Sequence, residues 1–267
     1  MEILYLSFIR PLFEYADVVW DSAPLHQSFF QNLEKLQISA SRTVTGTNNY
    51  SSKNLLYKET QWLPLSTRRI MHRLTLFYKI FIDECPRHLR QKFLYYNNYT
   101  NPYATRHRND LNIPLCRTET FRQSFFPATL RLWNALDNSI KMSESISVFK
   151  SRLETHFEYK KSNSYFYLGN RKHTSILSSI RTKSSQLKSQ LFLNGLAENS
   201  FCRCGQIETP KHYFFECIYY HFERQSLLEH ILQLEILLYG YGNNETVMNT
   251  FLCYFLSEFI EQTERFL

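Results

Sequence analysis

Cys202, Cys204, His212 and Cys217 place three thiols and one imidazole within 16 positions, the donor set of a four-coordinate Zn²⁺ site. One residue separates the first two cysteines, seven precede the histidine and four more precede the last cysteine. A turn through Cys204 and Gly205 can aim two thiolates at one point, because glycine is free to take a positive φ. His212 and Cys217 stand five apart at what reads as the start of a short helix. They share a face only if the first turn is loose or the histidine precedes the helix. A disulfide between Cys202 and Cys204 is too short a loop to be unstrained. Met1 to Phe13 is apolar but opens on Glu2 and runs into Arg10-Pro11, unlike a secretory signal. Six cysteines without an export signal fit a reducing, intracellular compartment, nucleus or cytoplasm. Cys85, Cys116 and Cys253 lie among apolar residues and read as inert thiols.

Other chemistry is hard to find. Tyr15-Ala16-Asp17-Val18 has one carboxylate where a two-metal polymerase site needs an adjacent pair. Asp21 lies a helical turn away, so Asp17 reads as a helix-surface or capping residue. No Gly-x-Ser-x-Gly elbow, phosphate loop or His-Glu-x-x-His helix occurs. No catalytic residue is therefore expected. His221 and His230 read as helix-lining.

The elements that hold the cysteine cluster are helical. Only 6 Gly and 8 Pro occur among 267 residues, which argues against a β-sandwich. Leu4, Phe8, Leu12 and Tyr15 recur at helical spacing, with Pro11 expected to kink or split the segment. A helix over Phe30 to Val44 would turn Leu33, Leu36 and Ala40 inward and stop at Gly46. Pro64-Leu65-Ser66 starts another, carrying Ile70, Leu74, Phe77, Ile80 and Phe81, and Pro86 closes it and opens the next. Residues from about Tyr95 to Thr118 have no period and read as a loop. Helices follow from Phe126-Pro127 through Leu136 and from Ser145 to Phe157. Periodicity stops between Lys160 and Asn170, which places a domain boundary there: 1–160, then 161–267. The second part opens on helical turns, Ile176 to Leu193. After the 202–217 cluster come two longer helices, Phe222 to Tyr239 and Glu245 to Phe266. The last carries an apolar stripe from Met248 to Ile260, wide enough for core packing or for docking on a partner. No apolar run is long enough to cross a membrane, so no membrane partner is expected.

Charge is uneven. Residues 1–153 hold 20 Lys+Arg against 12 Asp+Glu, and the rest hold 11 against 12. Arg68, Arg69, Arg73, Lys79, Arg106, Arg108 and Arg122 lie in the densest basic stretch. With aromatics between them they are candidate contacts to RNA or DNA backbones. The ordinary alternative is a solvated helix face.

Taken in order, Tyr5 to Tyr15 with Trp20, then Leu33-Glu34-Lys35-Leu36-Gln37 with Ala40, Arg42 and Thr45-Gly46, form one set of segments. Trp62-Leu63-Pro64-Leu65 with Arg68-Arg69, Phe77-Tyr78-Lys79-Ile80, Pro86 with Leu89, Trp133-Asn134-Ala135-Leu136 and Phe149-Lys150 with Leu153 complete it. These resemble the thumb-containing region downstream of the catalytic palm in reverse transcriptases of non-LTR retrotransposons. Cys202 to Gly205, Glu208-Thr209, His212 and Cys217, with Tyr220 and Arg224, are similar to the terminal zinc knuckle of the same polyproteins. The resemblance implies a mainly α chain: a helical thumb-like part, then a small zinc knuckle and helical C-terminal part. It implies a C-terminal fragment of an RNA-directed DNA polymerase, which holds the template–primer backbone and binds structural Zn²⁺. Its implied partners are RNA or DNA and the missing palm and fingers. Fingers, palm, the catalytic aspartate pair and the endonuclease have no counterpart in the sequence, so polymerase activity is not expected of this chain alone. Tyr213, Phe214 and Phe215 form an aromatic surface on which bases could stack, but packing around the metal is the expected role of at least two of them. From another class of function, a protein-interaction module would dock through the apolar C-terminal helix.

Overall fold

The computed structural model describes residues 1–21, 27–97, 111–157, 168–228, 233–240 and 245–266. Among the described residues the fold is mainly helical, and the only β pairing is an isolated antiparallel bridge between Phe201 and Ile207. The main helices are α1 (Gln27–Thr45), α2 (Lys53–Thr60), α3 (Leu65–Phe81), α4 (Arg87–Asn97), α5 (Phe125–Ala135), α6 (Ile146–His156), α7 (Arg171–Arg181), α8 (Lys188–Leu193), α9 (Leu234–Tyr239) and α10 (Thr246–Thr263).

The chain forms two compact units, one of residues 2–37 with 63–160, the other of 38–62 with 161–267. This differs from the expected single cut at residue 160. Residues 38–62 cluster with the later part because polar groups on α1, α2 and the turn between them find their partners there. Arg171 donates to the Thr43 carbonyl at 2.9 Å, Asn48 to the Ser184 carbonyl at 2.7 Å, and Glu59 accepts from Ser178 and Arg181. Partners more than a hundred residues apart leave no mark on local periodicity.

In the first unit, α3 supplies Leu74, Phe77, Tyr78 and Ile80 to a core shared with Phe93, Leu130, Trp133, Phe149 and Leu153. Tyr78 stacks on Phe149 with centroids 4.2 Å apart, and Phe77 tilts onto Trp133 at 5.0 Å. Such ring pairs add about 0.5–1.5 kcal/mol each to the burial itself. The buried Tyr78 hydroxyl is satisfied by the Ser143 carbonyl at 2.6 Å. Pro64 occupies the position before α3 without a side-chain cap, and Ser145 caps α6 by accepting from the Val148 N–H. Instead of splitting the first segment at Pro11, the helical path continues and its winding changes: a π turn, Tyr5–Ile9, gives way directly to a helix, Arg10–Glu14, with the proline in its first turn. There its missing N–H costs no bond. The row Leu4, Phe8, Leu12 and Tyr15 faces outward, Tyr15 being 79% exposed, while Tyr5 on the other side is buried.

α1 ends at Thr45 and Gly46 takes φ +71°, as the sequence predicts. Its inward side is not the predicted one, however: Leu33, Gln37, Ile38 and Ser41 are buried and Leu36 is exposed. Buried Gln37 makes this workable, since Tyr5 donates to its side-chain oxygen at 2.9 Å and its amide donates to the Leu63 carbonyl at 3.0 Å.

The second unit has its core in Leu177, Ile180, Leu187, Tyr213, Phe214, Leu227 and Leu237, closed by Leu252, Leu256, Phe259 and Ile260 of α10. The predicted helix from Phe222 to Tyr239 is instead broken. A short helix covers Gln225–Leu228, and Gln233 is extended before α9 begins. No helix among the described residues is long and apolar enough to cross a membrane.

Candidate metal centre

The turn Cys202 to Gln206 is closed by the Cys202 N–H bonding to the Gln206 carbonyl at 2.7 Å, and the Gly205 N–H bonding to the Cys202 carbonyl at 3.0 Å. Gly205 sits at φ +87°, the conformation that a residue with a Cβ resists. The Phe201–Ile207 bridge clamps the base of the turn, so both thiols leave it on one side.

The other two donors come from a turn that the sequence left ambiguous. Thr209 starts it, accepting from the His212 N–H at 3.0 Å through its hydroxyl and from the Tyr213 N–H at 2.9 Å through its carbonyl. Pro210 follows in the first turn. His212–Glu216 is then a π turn, in which the Cys217 N–H bonds to the His212 carbonyl at 2.8 Å. A regular α-turn aligns residues three or four apart; the wider π turn aligns residues five apart. The awkward spacing is thus what the backbone is wound to fit.

The four donor atoms lie within 4.8 Å of one another. Cys202 Sγ is 3.6 Å from Cys217 Sγ, and Cys204 Sγ is 3.2 Å from His212 Nε2. All described cysteines are free. Cys202, His212 and Cys217 are buried and Cys204 is partly open. Burial pushes the Cys217 thiol up to about 12, whereas the Gln206 backbone N–H holds the Cys204 thiol below its ordinary value. Arg224, itself buried, donates Nη2 to the Cys217 carbonyl. Burial lowers its pKa, and the charge of Cys217 opposes that. A cation is therefore held beside a cluster that becomes anionic on losing its thiol protons. This Cys₃His group can bind a metal ion.

The aromatics chosen from the sequence are mostly structural. Tyr213 and Phe214 are fully buried, with ring centroids 5.2 and 5.8 Å from that of Phe259. Phe215 packs half-buried against the same core. None of the three offers an open face like that of Tyr219 or Phe222, which are 59% and 80% exposed. The signal that could have found them is the phase change after Cys217, where the π turn ends and the inward side shifts.

The candidate phosphate contacts also need correction. Arg69 and Arg73 are buried and meet the two Asp21 oxygens at 2.8 and 3.1 Å. Arg68 is clamped on the Glu14 carboxylate, with Nη2 to Oε2 at 3.0 Å. These three guanidiniums are committed to internal carboxylates and are not placed to meet phosphates. Asp17 is not a surface or capping residue. It is 3% exposed, with Oδ2 2.6 Å from His72 Nδ1. Lys79 is half-buried on α3, and Arg122 is exposed, its nearest carboxylate that of Glu119 at 3.5 Å. Arg106 and Arg108 lie outside the described residues. Lys92, Arg117 and Lys150, which form no ion pair among the described residues, are exposed on the same unit.

No protein-family model matches the chain, and neither a curated protein nor a solved structure matches it.

Proposed function

We propose that the chain binds nucleic acid through a zinc-nucleated terminal knuckle and a basic helical part, as the C-terminal portion of a retrotransposon RNA-directed DNA polymerase. The carrying observation is the Cys202, Cys204, His212 and Cys217 cluster. In a tetrahedral zinc site of three thiolates and one imidazole, bond lengths put donors roughly 3.5 to 3.8 Å apart. The Cys202–Cys217 separation of 3.6 Å lies in that range and the Cys204–His212 separation of 3.2 Å is just below it, and all four donors lie within 4.8 Å of one another, so an ion would draw the group together. Four protein ligands leave no open position, so in this reading the metal is structural. The resemblance to retrotransposon polymerases supplies the partner class, RNA or DNA. The exposed cations Lys92, Arg117, Arg122 and Lys150 suit backbone contact without sequence readout.

A structural Zn²⁺ contributes on the order of 10 kcal/mol to a site of this kind. Zinc should co-purify at one equivalent per chain. Cys204→Ala should lose it and unfold the region around Tyr213 and Phe214, read as loss of near-ultraviolet circular dichroism. A variant with unchanged spectrum and melting curve refutes the metal assignment. Absence of binding to RNA, single-stranded DNA and duplex at low salt refutes the nucleic-acid assignment.

The second reading, a protein-interaction module, is favoured by α10. Its inner side is spent on the core, yet Val247, Met248, Phe251 and Tyr254 remain exposed along its outer side. The exposed row Leu4, Phe8, Leu12 and Tyr15 is a second apolar surface of the kind that marks contact sites. In the polymerase reading the palm and fingers are the partner to test there. Nucleic-acid affinity separates the two readings.

A further inference from the structure

Beside the cysteine cluster, in the second unit, lies a hollow of about 490 Å³ whose lining includes Lys188, Arg203, Glu208, Tyr219, Glu264 and Arg265. That volume is in the range of small-ligand sites. Its polar groups are arranged, not scattered. Arg265 clamps Glu208 through Nε and Nη2, both at 2.8 Å, and Nη2 also reaches the Gln186 carbonyl at 2.8 Å. The guanidinium plane is thereby fixed, with Nη1 left over, and the Glu208 charge is cancelled from within. Arg203 is exposed between two metal ligands, and it makes no ion pair or side-chain hydrogen bond among the described residues. Lys188 donates its backbone N–H to Glu208 at 2.7 Å, and its ammonium, which forms no ion pair within 4 Å among the described residues, adds a weaker long-range attraction to the same carboxylate. Tyr219 is 59% exposed, whereas neighbouring Tyr220, which also lines the hollow, is partly buried against the core with its ring 5.4 Å from that of Tyr213.

An open aromatic face and two cations outside any close ion pair, Arg203 and Lys188, border one hollow. We propose that it is a nucleotide subsite for a single strand: one base stacks on Tyr219, and the adjoining phosphodiester is held by Arg203, Lys188 and the free Nη1 of Arg265. The charge balance selects the ligand. Three cations against Glu208 and Glu264 leave one positive charge, the complement of one phosphodiester and not of a triphosphate. The anionic Cys₃His–metal centre does not upset this balance, because Arg224 lies beside Cys217. The metal sets the geometry: Arg203 sits between ligands Cys202 and Cys204, and Tyr219 follows ligand Cys217 by two residues. Binding at this subsite is therefore metal-dependent.

The inference rests on the nucleic-acid reading above, and the experiment separates the two. Fluorescence anisotropy of a labelled single-stranded octamer of uridine is followed with the zinc-loaded full chain and with Tyr219→Ala, Tyr219→Phe and Arg203→Glu. Each variant is first checked for zinc content and melting temperature. Tyr219→Ala and Arg203→Glu should each weaken binding about tenfold, while Tyr219→Phe, which keeps the ring, should stay within about twofold. Chelation should remove the difference between wild type and Tyr219→Ala, and UTP should compete no better than UMP. Wild-type binding that both variants retain in full overturns the subsite and leaves the function standing. UTP competing far better than UMP overturns the charge argument. No octamer binding by the wild type at low salt overturns both the subsite and the function.

Discussion

Glu59 and Arg181 show how much of this protein's stability rests on single charged groups out of sight of the sequence. Their side chains are 5% and 3% exposed, Arg181 chelates the carboxylate, and its Nη1 also reaches the Leu238 carbonyl at 2.9 Å. Removing one partner strands the other in a low-dielectric interior, which costs about 3–5 kcal/mol. Arg181→Met and Glu59→Met should each show a large fall in denaturation midpoint, and the double variant should recover much of it. Glu208 gives a pH-dependent counterpart. Burial raises its pKa, but the Arg265 side chain and the Lys188 backbone N–H more than offset that and hold it below the usual carboxylate value. A depressed folded-state pKa means that the stabilisation is fully present above the unfolded value of about 4.3 and is lost as pH falls through the folded value. The stability difference between wild type and Arg265→Gln, measured by urea unfolding, should be constant from pH 7 to 5 and shrink as the solution is made more acid.

At the level of elements, the informative positions are where one helix ends against another. Gly46 stops α1 with φ +71°, and a Cβ there would stand 2.1 Å from Ser175 Oγ and 2.7 Å from Ser175 Cβ, on α7. The stop was legible in the sequence as glycine after a periodic run; the close approach was not. Gly46→Ala should destabilise by about 1–3 kcal/mol through the left-handed backbone alone, and by more through the overlap. Pairing it with Ser175→Gly should relieve the overlap only, leaving the backbone cost, as thermal melts of the three variants would show. The His212–Glu216 π turn is the same lesson in the other direction. The candidate donors could be read from spacing, yet the winding that makes a five-residue spacing work depends on Tyr213 and Phe214 being pulled into the core against Phe259.

Over the whole molecule, the charge asymmetry seen along the sequence is gentler between compact units. Residues 2–37 with 63–160 hold 18 Lys+Arg against 13 Asp+Glu, and 38–62 with 161–267 hold 13 against 11. Three of the first unit's cations, Arg68, Arg69 and Arg73, are paired internally with Glu14 and Asp21. The dependence of nucleic-acid affinity on salt should therefore track the exposed set. An Arg117→Gln, Lys150→Gln double variant should reduce the slope of log affinity against log salt by about 1.4 to 1.8, near 0.7 to 0.9 for each phosphate no longer neutralised. Arg69→Met should lower stability and leave the slope unchanged. Salt titration with wild type and both variants tests this directly.

The helical class, the starts at Pro64 and Ser145, the stop at Gly46 and the four donors grouped in the candidate metal site are all legible in the amino-acid order. Each depends on interactions within a turn or two, or on residue types whose chemistry is their own. Packing alone settles which charges stay available and which aromatic faces stay open. Arg69 and Asp21 are 48 residues apart, and Glu59 and Arg181 are 122 apart. A cation next to a distant carboxylate looks, in sequence, the same as one facing water. The difference is made by the desolvation and pairing that the tertiary fold imposes.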